Sequence, residues 1–531
     1  MTATATRKHT ALRPRTKNIF TGISGLSSAI VTLAVAEVLA LFLAPASSPV
    51  LAVGSFVIDI VPPWVKETAI ALFGTGDKIA LLAGLGLGVL VLAVAIGVLQ
   101  YRRPPFGLVG LGLVGLLATI AVITRAGSTP LWVVPTIVGT VLGILILRAT
   151  TTRFRAWADA AADDRTNRWG ESAASYNRRS FLQLVGVATG AALVAGLAAR
   201  AVNSATAAVN TVRESITLPK PSTPAPDIAP GTDLGIDGVA PYISANDGFY
   251  RIDTALQIPI IDPADWSLKI TGMVEKEIEI TYADLQALPL VENVVTLTCV
   301  SNEVGGTLIG NAVWLGYPIR ELLAKAVPAA GADMVLSSSA DGWTASTPLE
   351  VLQDENRDSI LAIGMNGAPL PLEHGFPVRM VVAGLYGYVS ATKWVTELKV
   401  TRFADETSYW TDRGWSDHGP IKTSSRIDVP LAGRQVAAGK VAVAGVAWAQ
   451  HVGVTKVEVR VDRGRWNEAK LAEVVSVDTW VQWVWEWQAT KGNHTLEVRA
   501  TDAAGKTQGS ALVDVVPNGA EGWHTIDVSV A

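Results

Sequence analysis

One cysteine in 531 residues, Cys299, sets the first limits on this chain. A lone thiol makes no internal disulfide, no Cys-x-x-Cys zinc site and no cysteine-held iron–sulfur cluster. Histidine is scarce as well. His9, His374, His418, His451, His494 and His524 all fall outside the long apolar runs, which excludes a membrane haem held by paired histidines. The chain also lacks a Cys-x-x-Cys-His haem attachment, so neither haem nor an iron–sulfur cluster is expected in it. A net charge of −4, a pI near 5.9 and the lack of an extended basic patch argue against a nucleic-acid partner.

What the chain has in excess is apolar sequence at its N-terminal end. Residues 1–199 are predicted to be an all-α membrane anchor of five helices, 19–43, 79–99, 106–124, 131–147 and 181–199, in which Glu37 is the only charged residue. Each run is near the ~20 residues that cross a bilayer. Basic residues set the expected sidedness. Fourteen of them, Arg7, Lys8 and Arg13 through Arg178 and Arg179, precede the first span or fall in the connections on its side. Only Lys66, Lys78 and Arg125 face the other side. The N-terminus is therefore expected in the cytoplasm and everything after residue 199 outside, in a multi-pass cell-membrane protein surrounded by lipid. Glu37 is a functional candidate by default, and a carboxyl turned into the bundle is an equally good reading. Gly84-Leu-Gly-Leu-Gly88 and Gly110-Leu-Gly-Leu-Val-Gly115 predict close helix packing.

Asn177-Arg-Arg-Ser-Phe-Leu-Gln183, ahead of the fifth run, resembles a twin-arginine export signal. The plainer reading is a pair of arginines anchoring a helix end. Such export moves folded, cofactor-loaded domains. Residues 217–232 then form a Pro-rich linker, with five prolines between Thr217 and Pro230. It is predicted to be an extended spacer of ~3.1 Å per residue, holding the C-terminal domains away from the lipid. Over 233–425 short strands, helical patches and Gly/Pro turns alternate in an α+β pattern. Over 426–531 strands at 440–447, 456–461, 479–488 and 495–500 predict an all-β sandwich of seven strands. Trp480, Trp483, Trp485 and Trp487 are assigned to its core or a subunit face.

Cys299 itself follows the β-branched run Val294–Thr298, and Gly305-Gly306 end the element. A side chain where a strand runs out into a loop is well placed to react or ligate. The plain alternative is a small buried hydrophobe. Thr296-Leu-Thr-Cys-Val-Ser-Asn302, followed by Gly310 to Leu323, resembles the molybdopterin-binding core of the sulfite oxidase family. Phe249-Tyr-Arg-Ile-Asp253, Asp341 to Leu349, Met365 to Arg379 and Gly384 to Trp394 are similar to that family's cofactor-contacting segments. The resemblance implies a molybdenum–molybdopterin cofactor with Cys299 as its metal ligand, and Cys299 and Arg251 as catalytic residues. It implies Tyr250, Arg251, Asn302, Asp341, His374, Arg379, Thr392 and Lys393 around the cofactor. The chemistry agrees: a thiolate suits a high-valent metal, and a pterin phosphate takes Arg, Lys and backbone N–H donors. Singly, His374 also reads as a turn residue and Arg379 as half of a strand ion pair. Residues 426–531, with Gly522 to Val528, resemble the immunoglobulin-like dimerisation domain of the same family.

The substrate half departs from the pattern. Glu303-Val304 and Val313 stand where sulfite-oxidising members carry arginines, Trp415 where a tyrosine is usual and Asp253 where a histidine is usual. The expected protein is a membrane-anchored, extracytoplasmic oxidoreductase catalysing two-electron oxygen-atom transfer on a small molecule, not specific for sulfite. A separate electron carrier or the quinone pool would be its redox partner, and residues 426–531 could make it a homodimer. The alternatives are a sulfite oxidase or dehydrogenase proper, and a non-catalytic tethered binding protein that retains the fold.

Overall fold

Apolar runs without charge favour helix, because only internal backbone pairing is available where water is excluded. The N-terminal runs form α1 (Pro14–Leu43), α2 (Pro49–Ile60), α3 (Asp77–Arg102), α4 (Phe106–Ile123), α5 (Val133–Asp163) and α6 (Ala173–Ala201). The computed structural model describes residues 12–44, 47–62, 65, 68, 72–73, 77–125, 128–163, 173–201 and 204–531. It divides into one unit of Met1–Ala207 with Ala255–Gln257, and a second of Ala208–Thr254 with Ile258–Ala531.

Among the described residues of the first unit, four helices are long and apolar enough to cross a membrane: Pro14–Leu43, Ile79–Arg102, Phe106–Ile123 and Pro130–Ala162. The fifth expected span, 181–199, is helical within α6 but is not among the four, and the side chains of 196–200 lie outside the described residues. Of the residues counted for sidedness, Arg7, Lys8, Lys66, Arg165 and Arg168 also lie outside them. The sequence reading missed α2, whose 12 residues start at Pro49 behind the N-cap hydroxyl of Ser48. That helix is too short to span and so left no length signal. Half-buried Glu37 accepts from the Ser48 hydroxyl at 2.7 Å. Near the other end of the bundle Phe181 is fully buried beside Phe20, Phe154 and Trp157, and the Arg178 guanidinium lies 5.8 Å from the Trp157 ring.

Of the glycines expected to pack closely, Gly115 does, a Cβ there lying 2.5 Å from the Thr140 side chain, and other glycines do the rest. A Cβ at Gly25 would lie 1.9 Å from the Ala93 carbonyl, and one at Gly139 or Gly143 would strike Thr32, whereas at Gly84, Gly86 and Gly88 it meets nothing within 4 Å. The reason is periodicity. Glycines two apart point to different sides of a helix, while Gly139 and Gly143, four apart, share one face.

The boundary between the units falls within α7 (Ser204–Ser215), and the second unit starts at Ala208. The Pro-rich stretch after it is extended but is no free spacer. The Ser222 N–H donates to Leu290 O, the Glu292 N–H donates to Thr223 O, and Thr223 bridges Val291 in parallel. Non-proline residues between the prolines keep their hydrogen-bonding groups, and these pair with a strand edge. The next strands are β1 (Ser267–Gly272), β2 (Ile278–Thr281), β3 (Val291–Thr298), β4 (Ile309–Pro318), β5 (Met334–Ser339), β6 (Thr344–Pro348), β7 (Ile360–Met365), β8 (Ala368–Pro369), β9 (Arg379–Val381) and β10 (Val395–Thr401). They make one sheet in the order β2-β1-β10-β5-β6, and another, β3-β4-β7-β8, with β9 also on β7. Helices α8 (Tyr282–Ala287), α9 (Ile319–Ala326) and α10 (Leu349–Gln353) complete the expected α+β mixture. The last five residues of β3 are buried on both faces, which explains a β-branched and apolar run without alternation.

The C-terminal strands are β11 (Ser424–Val429), β12 (Gln435–Val436), β13 (Gly439–Trp448), β14 (Val454–Val461), β15 (Asn467–Glu468), β16 (Lys470–Leu471), β17 (Val481–Ala489), β18 (Gly492–Asp502) and β19 (His524–Val530). They form sheets β11-β13-β17-β16 and β12-β19-β18-β14-β15, nine strands where seven were expected. Three of them are two residues long, too short to alternate visibly. Trp480, Trp483 and Trp487 are buried and Trp485 packs partly against the core, in keeping with a structural role.

Candidate active site

Cys299 continues the β3–β4 ladder by one step, its N–H donating to Leu308 O at 3.0 Å. The chain then turns: Asn302 N–H donates to Cys299 O, Gly306 N–H to Glu303 O, and the Asn302 side-chain oxygen accepts from Leu308 N–H at 2.8 Å. Gly305, at φ +78°, closes the turn in a conformation that side chains disfavour. Buried Asn302 therefore acts here as the internal brace of the cysteine loop. Burial pushes the Cys299 thiol up, while hydrogen bonds from Ser301 and the charge of Lys393 oppose that shift.

Around this thiol the fold gathers side chains from distant parts of the chain. Tyr250 and Tyr386 both lie within electrostatic reach of Cys299. Arg379, at the start of β9, is 4% exposed. It donates only to backbone carbonyls, Met380 O and His374 O, each at 3.2 Å, and its guanidinium stands 5.0 Å from the Trp314 ring. Among the described residues it has no carboxylate partner. Lys393 donates to Asp253 and to Glu373 O at 2.8 and 2.9 Å. Asp253 also accepts from Arg251 Nε at 2.8 Å. His374, 2% exposed, packs edge-on to Phe249 at 5.5 Å. Its Nε2 lies 3.1 Å from Asn246 O, an acceptor, so the proton sits on Nε2 and Nδ1 is left as an acceptor.

The electrostatics are those of a cationic pocket built for an anion. Desolvation lowers Arg379 to about 10 and Lys393 to about 8, the latter against the pull of Asp253. Desolvation, reinforced by Arg379 and Lys393, lowers His374 to about 3. Burial raises Tyr386 to about 12 and pushes Tyr250 well above the phenol range. Arg251, Arg379 and Lys393 are three cations around one carboxylate, Asp253, which pairs with the first and the last. A phosphate-bearing group fits this donor set, because acceptor oxygens on an anion are what Arg379 lacks. Cys299 would supply the soft sulfur that molybdenum takes.

Six of the expected residues thus come together: Cys299, Tyr250, Arg251, His374, Arg379 and Lys393. Two do not join the polar cluster. The Thr392 hydroxyl pairs with the Ser337 hydroxyl at 2.6 Å, and the Asp341 carboxylate closes its own turn by accepting from Trp343 N–H. Each satisfies a local group first, a short-range preference that spacing along the chain does not reveal. Glu303 is exposed, and Trp415 rests against Tyr388 and Trp410. Sequence reasoning missed Tyr386, although it lies in the quoted Gly384 to Trp394 segment, and missed Asn246, whose carbonyl orients His374 and which carries no motif.

The lowered His374 value makes a pH prediction. The unfolded chain takes up a proton below about 6.5, whereas folded His374 refuses it until about 3. Stability in protein free of a bound anion is therefore expected to fall as pH drops through that window, by at most about 1.4 kcal/mol per pH unit from this group. Unfolding midpoints at pH 7, 6 and 5 should show a smaller acid loss in His374→Gln. A loss of the same size in that variant would assign it to other groups.

Residues 255–410 match the family described as oxidoreductase molybdopterin binding domain, and residues 424–498 match that described as bacterial Ig domain. The chain is similar to the mitochondrial sulfite oxidase of Macaca fascicularis, 30% identical over 345 residues that cover 55% of this chain and 62% of the relative. It is similar to the uncharacterized oxidoreductase YuiH of Bacillus subtilis (strain 168), 32% identical over 158 residues, covering 30% of this chain and 76% of the relative. Among solved structures, the sulfane dehydrogenase SoxCD from Paracoccus pantotrophus aligns with a TM-score of 0.49 and 24% identity, covering 55% of this chain and 81% of that one. The chain spans 62% and 53% of the macaque and mouse mitochondrial sulfite oxidases it matches. Its matched region carries the cysteine loop and most of the cation cluster, and on that footing the chain belongs to the sulfite oxidase family of molybdopterin-dependent oxidoreductases.

Proposed function

We propose that this is a membrane-anchored oxidoreductase whose molybdopterin domain faces the extracytoplasmic side and acts on a small neutral or weakly charged substrate. Residues 1–199 form a five-span anchor in this reading, 233–425 the catalytic domain and 426–531 a domain able to pair two copies. Asn177–Gln183 directs export, and electrons pass to a separate carrier or the quinone pool. Cys299 binds the metal, while Arg379, Lys393 and neutral His374 seat the pterin and its phosphate. When bound, the molybdenum–pterin group supplies two-electron chemistry coupled to oxygen-atom transfer. The chain's own part is to hold the thiolate, orient the donors, exclude water and set the local charge.

The single observation that carries the substrate reading is Asp253. Its side chain is 7% exposed and accepts from both Arg251 and Lys393 at 2.8 Å. Sulfite is a small dianion whose desolvation several cationic donors must offset. Here a fixed carboxylate already occupies two of them, and the positions of the family's substrate arginines hold Glu303-Val304 and Val313. One charge pair lost at 4 Å and an effective dielectric of 20 costs ~4 kcal/mol, roughly a thousandfold in binding. An organic sulfoxide or N-oxide undergoing reduction fits better.

Three measurements test this function. Cys299→Ser changes volume little and should abolish turnover while the fold persists. Normal activity in that variant would return Cys299 to a core residue. Steady-state assays with an artificial electron mediator should give poor sulfite oxidation and faster sulfoxide or N-oxide reduction. Efficient sulfite turnover would instead make this a sulfite oxidase or dehydrogenase proper. Reporter fusions after Arg103 and after Lys220 should be active on opposite sides of the membrane, and equal signals would sink the topology.

A further inference from the structure

The strand that delivers Cys299 has two edges, and only one belongs to the catalytic sheet. β4 covers one edge of β3 over its full length, from Val291 opposite Gly316 to Thr298 opposite Ile309. The other edge, next to the cysteine, is held by the immunoglobulin-like region. Thr296 N–H donates to Asp478 O at 3.0 Å, and Trp480 N–H donates to Thr296 Oγ1 at 2.8 Å. Gln450 Nε2 donates to Thr296 O at 3.3 Å and to Thr298 Oγ1 at 2.8 Å. Beyond the cysteine the same region grips again. Arg426 Nη1 donates to Gly306 O at 2.7 Å, and a Cβ on Gly305 would meet the His524 ring at 2.3 Å. Residues 296–306, with Cys299 inside them, are therefore pinned at both ends from outside the catalytic sheets.

Gln450 is the member of this grip that stability alone does not explain. It is 2% exposed, and among the described residues its Oε1 is buried without a hydrogen-bond partner. An unpartnered buried acceptor costs about 1–3 kcal/mol, which offsets much of what the two donor bonds contribute to folding. The amide orientation is fixed, because Thr296 O accepts and must face the nitrogen. The turn that presents it is strained as well: the next residue, His451, has φ +66°, held by its Nδ1 contact with Asp478 at 3.1 Å. A costly side chain on a strained turn, with both donor contacts on the last turns of β3, acts on geometry.

We propose that Gln450 is a positioning residue for the Cys299 thiolate, so that the immunoglobulin-like region is a structural part of the metal site as well as a neighbour of it. The inference rests on the reading that Cys299 ligates molybdenum. By holding Thr296 and Thr298, Gln450 fixes the height and direction of the Cα–Cβ bond of the cysteine beyond them. Groups that orient a metal ligand from behind typically alter affinity or activity ten- to a hundredfold when removed.

The test is Gln450→Leu in the full-length protein, compared with Val457→Ala, which opens the immunoglobulin-like core at β14, a strand that carries none of the residues gripping the loop. In cofactor-free protein the only cysteine reports on its own loop, and Gln450→Leu should speed its reaction with a maleimide. In the loaded enzyme the same variant should shift the Mo(V) electron paramagnetic resonance signal and lower kcat about tenfold with KM nearly unchanged. Val457→Ala should lower Tm more and move none of these. A wild-type labelling rate and spectrum in Gln450→Leu, or equal changes in Val457→Ala, would overturn the proposal. Cys299→Ser separates the two layers. An unchanged spectrum there defeats the ligand assignment, whereas a changed one with Gln450→Leu silent defeats only the role of Gln450.

Discussion

A guanidinium taken out of water keeps its charge, so its surroundings must replace the hydration it gave up. Arg379 finds two backbone carbonyls and the face of Trp314, and no carboxylate among the described residues. Much of the site follows from that incomplete replacement. His374 stays neutral beside it and uses its one proton on Asn246, while Lys393 is drawn down to about 8 although it has Asp253 for a partner. An apolar core would not retain such a cluster, because two hydrophobic side chains of the same volume fold at lower cost. The arrangement makes sense only with an anion that brings its own acceptor oxygens, and a pterin phosphate is such a group.

Asp253 decides how much of that positive charge is left. With one nearly buried carboxylate taken up by Arg251 and Lys393, the cation of the cluster left without a carboxylate among the described residues is Arg379, which donates to His374 O. Arg251 is the exposed member of the trio, so its pairing with Asp253 lies nearest to solvent.

How much of this was legible beforehand depended on whether the signal was local. The long apolar runs gave helices whose observed ends lie within about five residues of those predicted, apart from α5, which runs on past residue 147 to Asp163, and α6, which starts eight residues before 181 at Ala173. The β-branched run before Cys299 gave β3, because burial on both faces leaves a composition that cannot be mistaken for an amphipathic strand. Tyr250, His374, Arg379 and Lys393 could be named because each sits in a motif. What escaped was set by partners far away in the chain. Asp253 was noticed as a departure, but its double pairing depends on Lys393, 140 residues on. Thr392 and Asp341 show the opposite, their side chains pairing with the nearest hydroxyl and N–H, partners that the motif does not reveal. The proline-rich stretch was expected to be free because composition records what prolines cannot donate and says nothing of the strand edge that waits beside them.

The edge of β3 raises a more general point about where rigidity comes from. A side chain on the last rung of a ladder has its backbone paired on one side only, and a glycine-closed turn behind it adds freedom. In this chain the missing restraint comes from a second domain type, through Asp478, Trp480 and Gln450 before the cysteine and Arg426 and His524 after it. Arg426 is itself fixed, its Nε donating to Asp428 at 2.5 Å with both side chains 8% exposed. The grip is therefore built from groups that cannot move without breaking buried polar contacts of their own. That makes the order of the two domains in the chain less important than the two ends of one loop, because Cys299 is held between them.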